Sequence, residues 1–151
     1  MGQDDKREGI IALDVDGTIL DYGGYITRGD IIKLKERNRV GIISKRSIEN
    51  IKAVIDRLNI PIDFFYSAYP DRRGNKAGFL KEVSEGSPKK IPLTYIADRK
   101  EDQIECTLAG WNYMHPKDYV SCPLCKLYFG DINIKTKLYS WTDKYICVDC
   151  I

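Results

Sequence analysis

Apolar and polar residues alternate in short blocks along the first three quarters of the chain. Mostly apolar runs of four or five residues, bounded by turn-forming or charged residues, are typical of buried strands. Such runs predict five strands, over residues 10–13, 40–43, 62–66, 93–97 and 111–114.

Between these strands, apolar residues recur at the three- and four-residue spacing of one helical face. The spacing predicts helices over residues 28–37, 48–58, 76–84 and 99–109. Thr27 and Ser47 stand where helix N-caps are expected. Strands that alternate with helices of about ten residues imply an α/β fold, a parallel sheet with helices on both faces. In such sheets, ligands bind beyond the carboxyl ends of the strands.

The end of the first strand carries the most informative residues. Residues 10–20 read I-I-A-L-D-V-D-G-T-I-L, and Asp14 and Asp16 are two positions apart, so an extended chain points both carboxylates to one side. Two adjacent carboxylates repel each other unless a cation lies between them or one is protonated. A hard divalent ion such as Mg²⁺ suits this pair. The alternative is a strand-end turn in which both aspartates only cap the backbone.

The pentad D-V-D-G-T, from Asp14 to Thr18, resembles the first motif of the haloacid dehalogenase superfamily of phosphatases. The resemblance implies a Rossmann-like sheet and a Mg²⁺-dependent reaction through an aspartyl-phosphate. It makes Asp14 the nucleophile, and it makes Asp16 the acid that protonates the leaving group and then the base that deprotonates water. Crowded carboxylates are expected to raise the pKa of Asp16. Gly17 and Thr18 are expected to contact the substrate.

Two further positions resemble the second and third motifs of that superfamily. Ser44 ends an apolar strand, and its hydroxyl is expected to hold a phosphate oxygen. Lys45 and Arg46 either bind further anionic groups of the substrate or are solvated. Lys76 begins a predicted helix, where its ammonium would neutralise the nucleophile and the transferred phosphoryl group. The alternatives for this lysine are Arg72, Arg73 and Lys81.

The fourth motif is acidic and is matched by Asp98 and Asp102, which follow an apolar strand. The resemblance implies that Asp98 binds Mg²⁺ directly with Asp14 and the backbone carbonyl of Asp16. Asp102 would act through water or by orienting its neighbours. The alternative is a helix N-terminus that carries acids because the helix dipole favours them there.

The resemblance covers residues 9–116, and residues 1–8 are expected to form a flexible end. The segments after the first and second strands are too short for the large cap domain of many superfamily members. A capless site is open and suits a large substrate, or one that a partner covers.

The tail, residues 117–151, predicts a small β-rich zinc ribbon. Its two C-x-x-C pairs are separated by 21 residues and are typical of a closed, structural Zn²⁺ site. The ligands of this site are Cys122, Cys125, Cys147 and Cys150. Short strands are predicted over residues 127–129, 138–141 and 145–147. The fifth cysteine, Cys106, is expected to be a buried small hydrophobe.

Charge adds an indication about partners. The net charge is +2, but residues 28–90 carry 15 basic and 8 acidic side chains, which favours phosphate-rich partners. Aromatic and basic residues of the tail suit nucleic acid or protein docking, although small modules also use aromatics as core. These residues are Tyr128, Phe129, Lys135, Lys137, Tyr139 and Trp141. No apolar run reaches the ~18 residues of a membrane span, and no signal peptide opens the chain, so a cytoplasmic protein without membrane contact is expected.

The sequence therefore predicts a Mg²⁺-dependent phosphatase with a structural zinc ribbon, acting on a macromolecule such as a nucleic-acid end or a phosphoprotein. One alternative is a small-metabolite phosphatase whose site is covered by the ribbon or by a partner subunit. A second alternative is a non-catalytic module that uses the same fold to bind nucleic acid or protein.

Overall fold

The computed structural model describes residues 9–70, 74–86 and 91–120, and the backbone of two later strands. Its main feature is a parallel sheet of five strands in the order β3-β2-β1-β4-β5. The strands are β1 (Gly9–Leu13), β2 (Asn38–Ser44), β3 (Phe64–Ser67), β4 (Leu93–Ile96) and β5 (Asn112–Met114). The predicted parallel sheet is confirmed, and β1 lies at its centre.

Helices cover both faces of this sheet. They are α1 (Arg28–Lys35), α2 (Ile48–Leu58), α3 (Asn75–Glu85), α4 (Lys100–Ala109) and the short α5 (Pro116–Val120). Ile31 of α1 and Val54 of α2 belong to one buried apolar cluster, whereas Leu80 of α3 and Cys106 of α4 belong to another. The predicted α/β arrangement is therefore confirmed, and Cys106 is a buried apolar residue as expected.

The two clusters follow from the alternation of side chains along the central strand. Leu13 packs with the α1–α2 side, whereas Ile10 and Ala12 pack with the α3–α4 side. These three residues are at most 1% exposed. A strand with both faces buried reads as an unbroken apolar run, as expected for a parallel sheet.

Local capping fixes where the first two helices begin. Thr27 accepts a hydrogen bond from the backbone N–H of Asp30, and the Asp30 carboxylate accepts one from the N–H of Thr27, which forms a capping box. Ser47 caps α2 by accepting from the N–H of Asn50. α1 ends two residues before the predicted position, because Asn38 already begins β2 and donates its amide to the Leu34 carbonyl at 2.9 Å.

Two short strands are described in the tail, β6 (Thr136–Tyr139) and β7 (Lys144–Cys147), and they pair antiparallel. They overlap the strands predicted at 138–141 and 145–147. The third predicted strand, the side chains of the four zinc-ligand candidates and the N-terminal residues 1–8 lie outside the described residues. In the described part of the chain, no helix combines the length and the apolar character needed to cross a bilayer.

The close packing of β2 on β3 allows a test of the fold. A Cβ at Gly41 would collide with the ring of Phe64, so Gly41→Ala is expected to destabilise the protein by about 1–3 kcal/mol. The matched control is Gly78→Ala in α3, where a Cβ meets no atom within 4 Å. That change is expected to stabilise the helix by roughly 0.5–1 kcal/mol. Urea unfolding measures both changes, and equal midpoints for the two variants would contradict this packing.

Candidate active site

Three aspartates converge at the carboxyl edge of the sheet. Asp14 follows β1, Asp98 follows β4 after one intervening residue, and Asp102 lies in the first turn of α4. One carboxylate oxygen of each lies within 4.8 Å of the other two. β1 and β4 are neighbours in the sheet, and the N–H of Asp14 donates to the carbonyl of Ile96 at 3.0 Å. Strand pairing therefore brings together residues that are far apart in the chain.

Lys76, in the first turn of α3, joins two of these aspartates. Its Nζ lies 3.1 Å from Asp14 Oδ2 and 2.6 Å from Asp102 Oδ1, and it lies 5.4 Å from the centre of the Tyr95 ring. The side chain is only 3% exposed. Burial by itself lowers the pKa of Lys76, but the two carboxylates outweigh it and raise the pKa above its ordinary value. Lys76 is therefore a buried cation that is already paired.

The carboxylate of Asp14 is held on both oxygens. Oδ1 accepts a hydrogen bond from the N–H of Val15 at 2.7 Å, and Oδ2 accepts from Lys76. Burial raises the pKa of Asp14, and so does repulsion from Asp102, although Lys76 acts in the opposite direction. One ammonium thus does not fully compensate the buried negative charge, and additional positive charge would stabilise the ionised form.

The aspartate triad, Asp14, Asp98 and Asp102, has the composition of a site for a hard metal ion. It presents only carboxylate oxygens, which are the ligands that divalent cations such as Mg²⁺ prefer. Asp102 Oδ2 is buried without a hydrogen-bond partner among the described residues, and Arg99 Nε lies 3.8 Å from it. A buried oxygen in this state is costly unless a cation or water satisfies it. The triad can therefore hold a metal ion.

Gly17 permits the close approach of one triad member. Its φ is +72°, and a Cβ there would collide with the carboxylate of Asp98. Glycine is required on both grounds, because other residues are strained at positive φ and have no room here. The adjacent Thr18 is fully buried, and its Oγ1 has no hydrogen-bond partner among the described residues.

Asp16 does not join the triad through its side chain. Its two carboxylate oxygens accept hydrogen bonds from Nε and Nη2 of Arg46, at 2.9 and 2.8 Å. The same guanidinium lies 4.8 Å from the centre of the Tyr22 ring. This bidentate pair lowers the pKa of Asp16, so the expected increase is wrong for this conformation. A metal contact through the Asp16 backbone carbonyl stays a prediction.

Ser44 ends β2 and is fully buried. Its Oγ accepts a hydrogen bond from the N–H of Arg46 at 3.1 Å, so Ser44 holds the turn that carries Arg46. Lys45 and Arg46 line a cleft of about 640 Å³, which Asp16 also lines. Lys45 and Arg46 therefore line the cleft beside Asp16, and Ser44 supports the turn that carries Arg46.

Glu105 is a site residue that the sequence analysis missed. It is buried on α4, and its carboxylate accepts hydrogen bonds from the N–H groups of Gly74 and Ala77, each at 3.0 Å. These groups flank Lys76 at the start of α3, where Gly74 provides no side-chain cap. Glu105 thus caps α3 from a neighbouring helix. Its only signal in the sequence is the three-residue spacing from Asp102, which places both on one face of α4.

The structure describes one of the three alternative basic residues. Lys81 is exposed on α3, and Arg72 and Arg73 lie outside the described residues. Among the described candidates, Lys76 is the one that contacts the triad.

No family model, curated protein or solved structure matches this chain. The functional interpretation that follows therefore rests on the motif residues and on the geometry of the site.

The cap from Glu105 allows a stability test. Glu105→Ala leaves the N–H groups of Gly74 and Ala77 without their acceptor, and is expected to destabilise the protein by about 1–3 kcal/mol. Glu105→Gln keeps one carbonyl oxygen and is expected to cost less. The control is Glu85→Ala at the exposed end of α3, expected to stay within about 0.5 kcal/mol of the parent. Thermal unfolding at neutral pH compares them, and equal losses for Glu105→Ala and Glu85→Ala would refute the cap.

The pair between Arg46 and Asp16 makes a prediction about pH. Arg46→Gln is expected to raise the pKa of Asp16 towards its ordinary value, because the bidentate guanidinium is lost. A lowered pKa means that the pair stabilises the fold above the unfolded-state pKa and ceases to do so as the pH falls through the folded-state pKa. Carboxyl ¹³C NMR titration measures the change, with Arg57→Gln on the exposed face of α2 as control. An unchanged Asp16 titration in Arg46→Gln would show that the pair does not form in solution.

Proposed function

We propose that this protein is a Mg²⁺-dependent phosphatase that hydrolyses phosphomonoesters through an aspartyl-phosphate on Asp14. The observation that carries the proposal is the convergence of Asp14, Asp98 and Asp102 within 4.8 Å, with Lys76 bound to Asp14 and Asp102. In the sequence, these are the residues at which the chain resembles the first, third and fourth motifs of the haloacid dehalogenase superfamily. A parallel sheet with its polar residues at the carboxyl edge also supports a ligand site there.

The charge balance of the site favours an anion only when a cation is present. Three carboxylates lie together here, two of them bound to the ammonium of Lys76, and this excess of negative charge by itself repels a phosphate. Asp14, Asp98 and the Asp16 backbone carbonyl would hold Mg²⁺. When bound, the ion neutralises charge, so that a carboxylate can approach a phosphate.

Asp14 and Asp16 have distinct roles in the first step of the reaction. Lys76 and the N–H of Val15 orient the Asp14 carboxylate and favour its ionised form. An Asp14 oxygen forms a bond to phosphorus while the bond from phosphorus to the leaving oxygen breaks, and Asp16 gives its proton to that oxygen. In the second step Asp16 takes a proton from water, whose oxygen bonds to phosphorus as the bond to Asp14 breaks.

Arg46 controls whether Asp16 can act as an acid. While the guanidinium binds Asp16, the carboxylate stays ionised and has no proton to give. A substrate anion competes for the same guanidinium, because arginine binds phosphate as well as carboxylate in a bidentate manner. Substrate binding then releases Asp16, and its pKa rises. We thus assign to Arg46 both substrate binding and the timing of acid catalysis.

The connections around the site fit an open, capless enzyme. The main elements between β1 and β2 are a single 3-10 turn and α1, and α2 alone lies between β2 and β3. An open site admits a phosphorylated group on a large molecule.

We assign two roles to the cysteine-rich tail. The first is a structural Zn²⁺ site on Cys122, Cys125, Cys147 and Cys150, and the second is docking to nucleic acid or protein.

Substitution of the nucleophile and of a metal ligand tests the proposal. Asp14→Asn is expected to lower phosphate release by roughly 10³-fold or more, because no carboxylate remains to attack. Asp98→Asn is expected to weaken Mg²⁺ binding by about 10-fold or more, as measured by calorimetry independently of turnover. Asp21→Asn, in the exposed turn after β1, is the matched control and is expected to behave like the parent.

Metal dependence and the intermediate give a second test. Removal of Mg²⁺ by gel filtration is expected to abolish phosphate release, and added MgCl₂ to restore it; EDTA is avoided because it would also extract the Zn²⁺ proposed for the tail. With methanol present, the ratio of methyl phosphate to inorganic phosphate is expected to be the same for substrates with different leaving groups, since all form one covalent intermediate. Full activity without Mg²⁺, or turnover by Asp14→Asn, would reject the mechanism.

A further inference from the structure

A cleft beside the site offers a place for the part of the substrate that departs. It has a volume of about 640 Å³, which is within the roughly 300–1,000 Å³ typical of small-molecule sites. Its lining combines acidic, basic, amide and aromatic side chains. The lining residues are Asp16, Lys45, Arg46, Ser47, Asn50 and Tyr69.

Tyr69 is the unusual member of this lining. It is 68% exposed, more than any other large hydrophobic side chain of the described residues. Its N–H donates to Ser67 Oγ at 3.3 Å, and the Ser67 hydroxyl donates to the Arg46 carbonyl at 2.6 Å. The amide of Asn75 donates to the carbonyl of Pro70 at 2.9 Å. These bonds attach the backbone that carries an exposed aromatic ring to the turn after β2 and to α3.

The proposed reaction determines what enters the cleft. Asp16 must contact the leaving oxygen to protonate it, and Asp16 lines the cleft. The group attached to that oxygen therefore lies between Asp16 and the other walls. Those walls supply two cations, Lys45 and Arg46, and a broad aromatic face on Tyr69. A sugar alone or an aliphatic side chain would neither stack on the ring of Tyr69 nor bring a second anion to the two cations.

Resting on the proposed function, we infer that the cleft binds a leaving group with a nucleobase and a second phosphate, that is, a nucleotide at a nucleic-acid end. The base stacks on Tyr69, because aromatic rings accept any base on their face. Arg46 and Lys45 bind the neighbouring phosphodiester. The same anion that draws Arg46 away from Asp16 is then part of the substrate, which links recognition to acid catalysis.

Equilibrium binding tests the cleft without requiring turnover. The probe is the thymidine dinucleotide TpT, which has no terminal phosphate to hydrolyse, and the matched ligand is its abasic counterpart. Calorimetry is expected to show weaker binding of the abasic ligand, and Tyr69→Ala is expected to weaken TpT binding on the order of 10-fold. Tyr69→Phe keeps the ring and is expected to bind like the parent. Lys45→Ala is expected to reduce the salt dependence of binding, whereas Lys52→Ala, on the exposed face of α2, is not.

Turnover assays separate failure of this inference from failure of the proposed function. The substrates are 3′- and 5′-phosphorylated TpT, thymidine 3′,5′-bisphosphate, a phosphoserine peptide and glycerol 2-phosphate. A higher kcat/KM for the thymidine substrates supports the inference, and the comparison of dinucleotide with bisphosphate distinguishes a nucleic-acid end from a free nucleotide.

Hydrolysis of the peptide or of glycerol phosphate with equal or higher kcat/KM overturns the inference but retains the phosphatase. Equal binding of TpT and abasic ligand, or an unaffected Tyr69→Ala, also overturns it. Selective TpT binding without turnover of any substrate rejects the phosphatase and retains the cleft.

Discussion

The buried ammonium of Lys76 is the interaction on which the arrangement of the site depends. A charge that is 3% exposed is stable only when paired, and its partners Asp14 and Asp102 come from the end of β1 and from α4. α3 must therefore begin beside both, and Glu105 holds that helix start in place. The ring of Tyr95 lies below the ammonium, and its hydroxyl donates to the Ile43 carbonyl at 2.7 Å, which connects the charge to the sheet.

Much of the fold follows from local patterns. Apolar runs and helical spacing depend on neighbours in the chain, so the five strands and the starts of α1 and α2 are predictable from the sequence. The meeting of Asp14 with Asp98 is predictable as well, because the carboxyl ends of neighbouring parallel strands lie at one edge. The structure also explains why residue 17 is glycine, since a side chain there would collide with the Asp98 carboxylate.

Other features depend on side-chain contacts between segments that no local pattern connects. The orientation of Asp16 is set by Arg46, thirty residues later, and a bidentate guanidinium outweighs the repulsion expected from nearby carboxylates. Glu105 acts on α3 from α4, and an acid within a helix ordinarily indicates an exposed face. Nothing in the local sequence distinguishes Tyr69 from other aromatic residues in loops. The hydrogen bonds that attach its backbone to the turn after β2 are seen only in the structure.

The central place of β1 has a consequence for biosynthesis. β1 leaves the ribosome before the strands that pair with it, and its neighbour β4 pairs Tyr95 with Ala12, 83 positions earlier in the chain. Contacts of such long sequence separation form late, after the entropy of closing the loop has been overcome. A growing chain can pair β1 with β2 early, but its acidic cluster stays incomplete until α4 has emerged. The three carboxylates of the triad can therefore meet only after the chain from β1 to the first turn of α4 has been synthesised.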